Sequence, residues 1–191
     1  MRKMFFFVLA AAALLLMVPA QNAQAQSETP KVEVGAHYTF LRIRDFGLGS
    51  AADNGVGGRI TLNLADSFGL EGELNFFPQG RINFANALSA NSTRTQALFG
   101  VKTGMRSEKA GIFGKFRPGF IRFSEGDAIP GLSSSQTEFA LDFGGVFELY
   151  PTRHVAFRVD VGDTVIRFSN LPIPTFYSHN LQISTGVAFR F

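Results

Sequence analysis

Side chains able to do chemistry are few in this sequence, and they are scattered. His37, His154 and His179 lie far apart along the chain, with no spacing suited to ligating a metal ion. His37 reads as a polar residue on an enclosed strand face. Ser178 stands beside His179, the composition of a hydrolytic pair, but no third group is placed to orient the imidazole. Glu71 and Glu73 are two residues apart, which on a strand puts both carboxylates on one face. That spacing serves paired acid and base work or ion pairing, and ion pairing is the simpler reading. Asp53-Asn54-Gly55 and Gly126-Asp127 are turn sequences before they are calcium ligands, because no run of oxygen ligands follows. Asn91-Ser92-Thr93 fits a glycosylation sequon and reads as ordinary loop. No catalytic residue, metal site or cofactor is expected.

The elements that would hold these residues begin after an export leader. Arg2 and Lys3 precede an apolar run from Met4 to Val18, then Pro19 and the small-residue site Ala23-Gln24-Ala25. This is the layout of a cleavable secretory signal, so residues 1–25 are expected to be removed and residues 26–191 to form one domain. Two of the 18 Lys and Arg residues belong to the leader, which leaves the mature part close to neutral. A nucleic-acid partner is therefore not expected. There is no cysteine, so neither disulfides nor thiolate ligands can stabilise the exported chain.

Beyond the leader, apolar residues recur at every second position in eight runs: Val32 to Phe40, Val56 to Leu64, Leu70 to Phe76, Ala97 to Met105, Ile112 to Phe120, Phe139 to Leu149, Val155 to Val161 and Leu181 to Phe191. A period of two marks strands with two unlike faces. Within these runs the charged residues are Glu33, Arg59, Glu71, Glu73, Lys102, Lys115, Arg117, Asp142, Glu148, Arg158, Asp160 and Arg190, and all fall on the opposite parity. One face of every strand is closed to charge. No helical segment is available to cover eight such faces, so lipid is the partner expected. In a bilayer each backbone N–H and C=O must be paired within the protein, which leaves a closed barrel as the only way for strands to cross. The fold class predicted is thus all-β, an eight-stranded antiparallel up-and-down transmembrane barrel.

A barrel of eight strands is just wide enough for inward side chains to fill it. The charged parity balances acids against bases and carries Gly35, Gly57, Gly100, Gly104, Gly119, Gly144 and Gly186, which relieve crowding. A plugged interior is predicted, not a channel. After Val161 the seventh run loses phase: Asp163 would meet lipid, while Ile166 and Phe168 would turn inward. A β-bulge at Gly162 would restore the phase and add Asp163 and Arg167 to the interior network. Pro118 deletes a ladder hydrogen bond where a closed barrel has no edge strand, so it marks a bulge or a local gap.

Links between the runs alternate between long and short, as in outer-membrane barrels with short periplasmic turns and longer external loops. Gly126 to Gly131 and Leu171 to Pro174 read as mobile external loops. Aromatic residues near both strand ends suggest interfacial girdles, with Tyr38, Phe40, Phe76, Phe123 and Phe168 on the loop side and Phe68, Phe147, Tyr150, Phe189 and Phe191 on the turn side.

Leader, eight alternating strands and the closing segment Leu181 to Phe191 together resemble the OmpA-like outer-membrane β-barrel family. The resemblance spans the mature chain. It implies that Phe189 and Phe191, in register with the preceding apolar positions, form the signal read by the barrel assembly machinery. Unlike OmpA itself, the chain shows no following peptidoglycan-binding domain, so no cell-wall tether is implied. The expected function is that of a monomeric integral outer-membrane protein with a structural or surface-interaction role, its partners being outer-membrane lipid, the assembly machinery and an unidentified loop ligand. Three alternatives stay open: a lipid-modifying enzyme that admits acyl chains at Pro118, a narrow pore, and a soluble lipocalin-like barrel with the apolar parity inside.

Overall fold

The computed structural model describes residues 30–45, 49–84, 88–124, 135–169 and 175–191. The predicted leader and the segments Gly126 to Gly131 and Leu171 to Pro174 lie outside them. Eight strands follow in chain order: β1 (Val32–Asp45), β2 (Gly49–Ala65), β3 (Phe68–Phe84), β4 (Leu88–Arg106), β5 (Ala110–Phe123), β6 (Gln136–Thr152), β7 (Val155–Phe168) and β8 (Phe176–Arg190). Each pairs antiparallel with its sequence neighbour, and β8 pairs with β1 to close a barrel. Pairing runs from Val32 through Leu62, Leu70, Val101, Phe116, Phe143, Asp163 and Leu181, and returns to β1 at Arg42. The ladder thus climbs ten residues in one circuit, and strand tilt is linked to that stagger.

Alternation sorts the side chains. Ile60, Leu74, Phe99, Ile112, Phe116, Phe157 and Phe189 are exposed on the outer wall, whereas the twelve charges of the opposite parity are all buried inside. The strands run further than the apolar runs. The long links expected after the first and third apolar runs are largely paired strand, with Arg42 opposite Ala52 and Arg81 opposite Asn91. Asp53-Asn54-Gly55 is accordingly mid-strand and not a turn, and Asn91-Ser92-Thr93 lies in β4.

One expectation about backbone irregularity fails, and a second is narrowed to one of its two outcomes. The pairing of β6 with β7 passes through Gly144 opposite Gly162 and Phe143 opposite Asp163 without a shift, so there is no bulge at Gly162. Asp163 and Arg167 therefore face outward and do not belong to the interior network. Ile166 is wholly buried, and Phe168 packs against the same interior cluster. The physical reason is that β7 leaves the apolar outer band after Val161, where the outer wall tolerates charge and the interior accepts hydrocarbon. Phe123, Phe168 and Tyr150 likewise point into the barrel and do not join the girdles. At Pro118 the register of β4 with β5 is the same on both sides, Leu98 opposite Gly119 and Val101 opposite Phe116, while the positions between are unpaired. The proline thus makes a gap in the ladder without a bulge, as its missing N–H requires.

Candidate functional site

The barrel interior gathers most of the polar chemistry of the described residues, arranged in levels from the short-turn end upward. At the lowest level Glu33 accepts hydrogen bonds from Asn63 at 2.8 Å, Arg190 at 3.2 Å and Arg106 at 3.4 Å. Lys102 donates to Glu148 at 2.7 Å, and the Tyr150 hydroxyl donates to the other Glu148 oxygen at 2.6 Å. The Arg190 guanidinium lies 4.1 Å from the centroid of the Tyr150 ring, within cation–π range. First and last strands are thereby joined through both backbone and side chains.

The middle level is a mesh of guanidinium groups and carboxylates. Arg158 grips both oxygens of Glu71 and donates from Nε to Asp160 at 2.7 Å. Arg59 bridges Glu73 at 2.7 Å and Asp160 at 2.5 Å. Arg117 donates to Glu73 at 2.6 Å and, through two nitrogens, to Asp142 at 2.9 and 2.6 Å, while Lys115 approaches Asp142 at 2.9 Å. The arginine fork suits this task, since one planar group can serve two carboxylates at once. Glycines make room for it. A Cβ placed on Gly144 would stand 2.2 Å from the Val161 carbonyl oxygen, and one on Gly57 would meet Asn75 and His37.

Above the charges the hydrogen bonds become neutral. His37 Nε2 meets Asn75 Oδ1 at 2.7 Å, Asn75 donates to Gln96 at 2.8 Å, and Thr164 donates to Gln182 at 2.7 Å. His37, Glu33, Arg59 and Arg158 also line a cavity of about 20 Å³, room for roughly one water. Higher still, Leu41, Ile43, Phe77, Leu98, Ile121, Ala140 and Ile166 form an apolar cluster, with Phe123 and Phe168 packed against it. At that outer end Arg94 pairs with Asp53 and lies over the Phe123 ring, while Glu138 accepts hydrogen bonds from Ser169.

Of the predicted network, twelve members meet one another inside and two, Asp163 and Arg167, do not. Arg106, Asp53, Arg94 and Glu138 were not among them. Each shares the parity of an interior charge on its own strand, so extending the alternation past the apolar runs would have found them. The Ser178 and His179 pair does not assemble. Ser178 is buried and donates to Asn180 at 2.9 Å, whereas His179 is on the opposite face and pairs with Asp163 at 2.6 Å. Both Glu71 and Glu73 are engaged by arginines, and no cluster of potential metal ligands exists among the described residues.

A closed barrel with hydrocarbon outside and charge inside is the architecture of an integral outer-membrane protein. The chain belongs to the family of the outer membrane protein beta-barrel domain, whose sequence model matches residues 10–191. It is located in the outer membrane. Among solved structures it is similar in fold to Neisserial surface protein A (TM-score 0.65, 15% identity, 84% of this chain and 97% of that one). The Pseudomonas aeruginosa outer membrane protein OprG is comparable (0.57, 16%, 88% and 99%), as is the Yersinia pestis attachment invasion locus protein Ail (0.55, 16%, 85% and 99%). No curated protein sequence matches the chain.

Proposed function

We propose that this outer-membrane protein is a monomer whose interior is a plug and not a conduit, and that its role is structural or one of surface interaction through the external segments. The carrying observation is the arrangement of the interior: a carboxylate–guanidinium mesh overlain by an apolar cluster. Ions crossing it would have to part charge pairs buried in a medium of low dielectric and then pass a level of packed hydrocarbon where Asp53 is already held by Arg94. Residues 1–25 act as the export signal, and Phe189 and Phe191 present the assembly signal. The lipid-modifying alternative gains no support, because the ladder gap at Pro118 backs onto Arg117 and Leu98, both buried.

Single-channel recording in planar bilayers tests the reading. The folded protein is expected to give no stepwise conductance over the background of the bare membrane. Reproducible unit steps from the purified monomer would replace the plug with a pore.

A further inference from the structure

Where the strands leave the apolar band, the cations described on the outer wall gather along β5, β7, β8 and β1. Arg122 on β5 is exposed opposite Thr137. Arg167 on β7 is exposed and pairs with Phe139 and Tyr177. On β8 His179 follows Tyr177 on the same face, its side chain 63% exposed, and Leu181 comes next, paired with the exposed Arg42 of β1. The stagger of the barrel puts these residues at nearly one height. The same level on β2, β3 and β4 carries Ala52, Asn54, Pro78, Thr93 and Thr95, none of them charged.

Two further features give the arc a chemical direction. Its one acid, Asp163, is occupied: it accepts from the Asn180 backbone N–H at 2.8 Å and holds the His179 ring at 2.6 Å. Directly beneath the cations stand Phe40, Leu181, Phe139 and Phe120, the last two in an edge-to-face contact with centroids 6.2 Å apart. At the short-turn end the exposed Lys31, Lys109 and Arg153 are interspersed with the exposed acids Asp66 and Glu108. An anion recognised here would carry its charge at the membrane surface and hydrocarbon just below it.

We propose that the Arg122, Arg167, His179 and Arg42 arc binds the phosphate group of an outer-leaflet lipid, whose acyl chains lie against Phe120, Phe139, Leu181 and Phe40. Guanidinium groups bind phosphate through paired, charge-assisted hydrogen bonds. A cation near an anionic membrane surface raises partitioning about fivefold.

The test uses the folded protein in phosphatidylcholine nanodiscs containing a minor share of phosphatidic acid, with the lipids that stay bound counted by native mass spectrometry. Wild type and the short-turn control K31Q/K109Q/R153Q are expected to retain phosphatidic acid over phosphatidylcholine. The R122Q/R167Q/H179Q variant should lose that enrichment by about twentyfold. The single variants Arg122→Gln and Arg167→Gln, each losing about fivefold, decide the matter if the triple variant does not fold. Equal enrichment in wild type and the arc variants, or equal loss in the control, would overturn the assignment. Release of the lipid by millimolar inorganic phosphate would also overturn it, in favour of a site for a free anion.

Discussion

Inside the barrel, the level of Arg59, Arg117 and Arg158 and the level of Leu41, Phe77 and Ile166 obey opposite rules. At the first, the interior is ionic and the wall behind it is Ile60, Phe99, Phe116 and Phe157. At the second, hydrocarbon fills most of the interior, with Asp53 held by Arg94 beside it, and the wall carries Arg42, Arg122 and Arg167. Strand parity does not change between them. What changes is the medium outside. Against lipid, the outer wall excludes charge and the polar residues must find one another within. Beyond the lipid, the same strands behave as those of a water-soluble barrel, with apolar side chains packed inside and charge in solvent. One fold therefore contains two solvation regimes, and the boundary on β7 falls between Val161 and Ile166.

That contrast is sharpest where a single side chain can be withdrawn from each regime. Arg117→Met leaves Glu73 and Asp142 short of a donor in a medium with no water to replace it, and should cost about 3–5 kcal/mol. Equilibrium urea unfolding in phospholipid vesicles measures this, and a loss below about 1 kcal/mol would mean that solvent reaches the mesh. Ile166→Ala empties volume in the apolar level and should cost about 2–5 kcal/mol in the same assay, near the lower end if neighbours collapse into the gap. Next comes Gly144→Ala. Its methyl group meets the Val161 carbonyl oxygen and the Gly162 backbone, so a cost of about 1–3 kcal/mol is expected, with strand displacement and not charge loss as the cause. Smallest is Arg167→Cys, which should change stability by no more than about 0.5 kcal/mol. Its thiol should react with a membrane-impermeant maleimide, whereas that of Ile166→Cys should not; reversed labelling would restore a bulge at Gly162.

The lower regime was legible in the sequence because lipid imposes a rule with no exceptions to blur it. Twelve charges on one parity, from Glu33 to Arg190, could be assigned to the interior by counting in twos. The upper regime was not legible by that rule. Reading Asp163 as forbidden on the wall required an inserted residue, when the wall at that point was about to leave the membrane. Asp53 and Arg94 were hidden for a related reason: the apolar runs that define β2 and β4 stop before them, although the strands continue. The Asp53-Asn54-Gly55 triplet has turn composition, but the cross-strand pairing of Leu41 with Asp53 and Phe40 with Asn54 overrides that local preference. Pro118 was read as a bulge or a gap, and only backbone pairing on both flanks separates the two.

The partners in the interior network come from remote parts of the chain: Arg158 and Glu71 are 87 residues apart, Arg59 and Asp160 are 101, and Arg190 and Glu33 are 157. A partial set of strands that divides such a pair leaves one member without the other. A chain lacking its final strand would hold Glu33 without Arg190, and one lacking β7 would hold Glu71 and Glu148 without Arg158. Completion is thus favoured over every shorter enclosure, and the buried ions make closure an all-or-none event in which the end of the polypeptide must find its beginning.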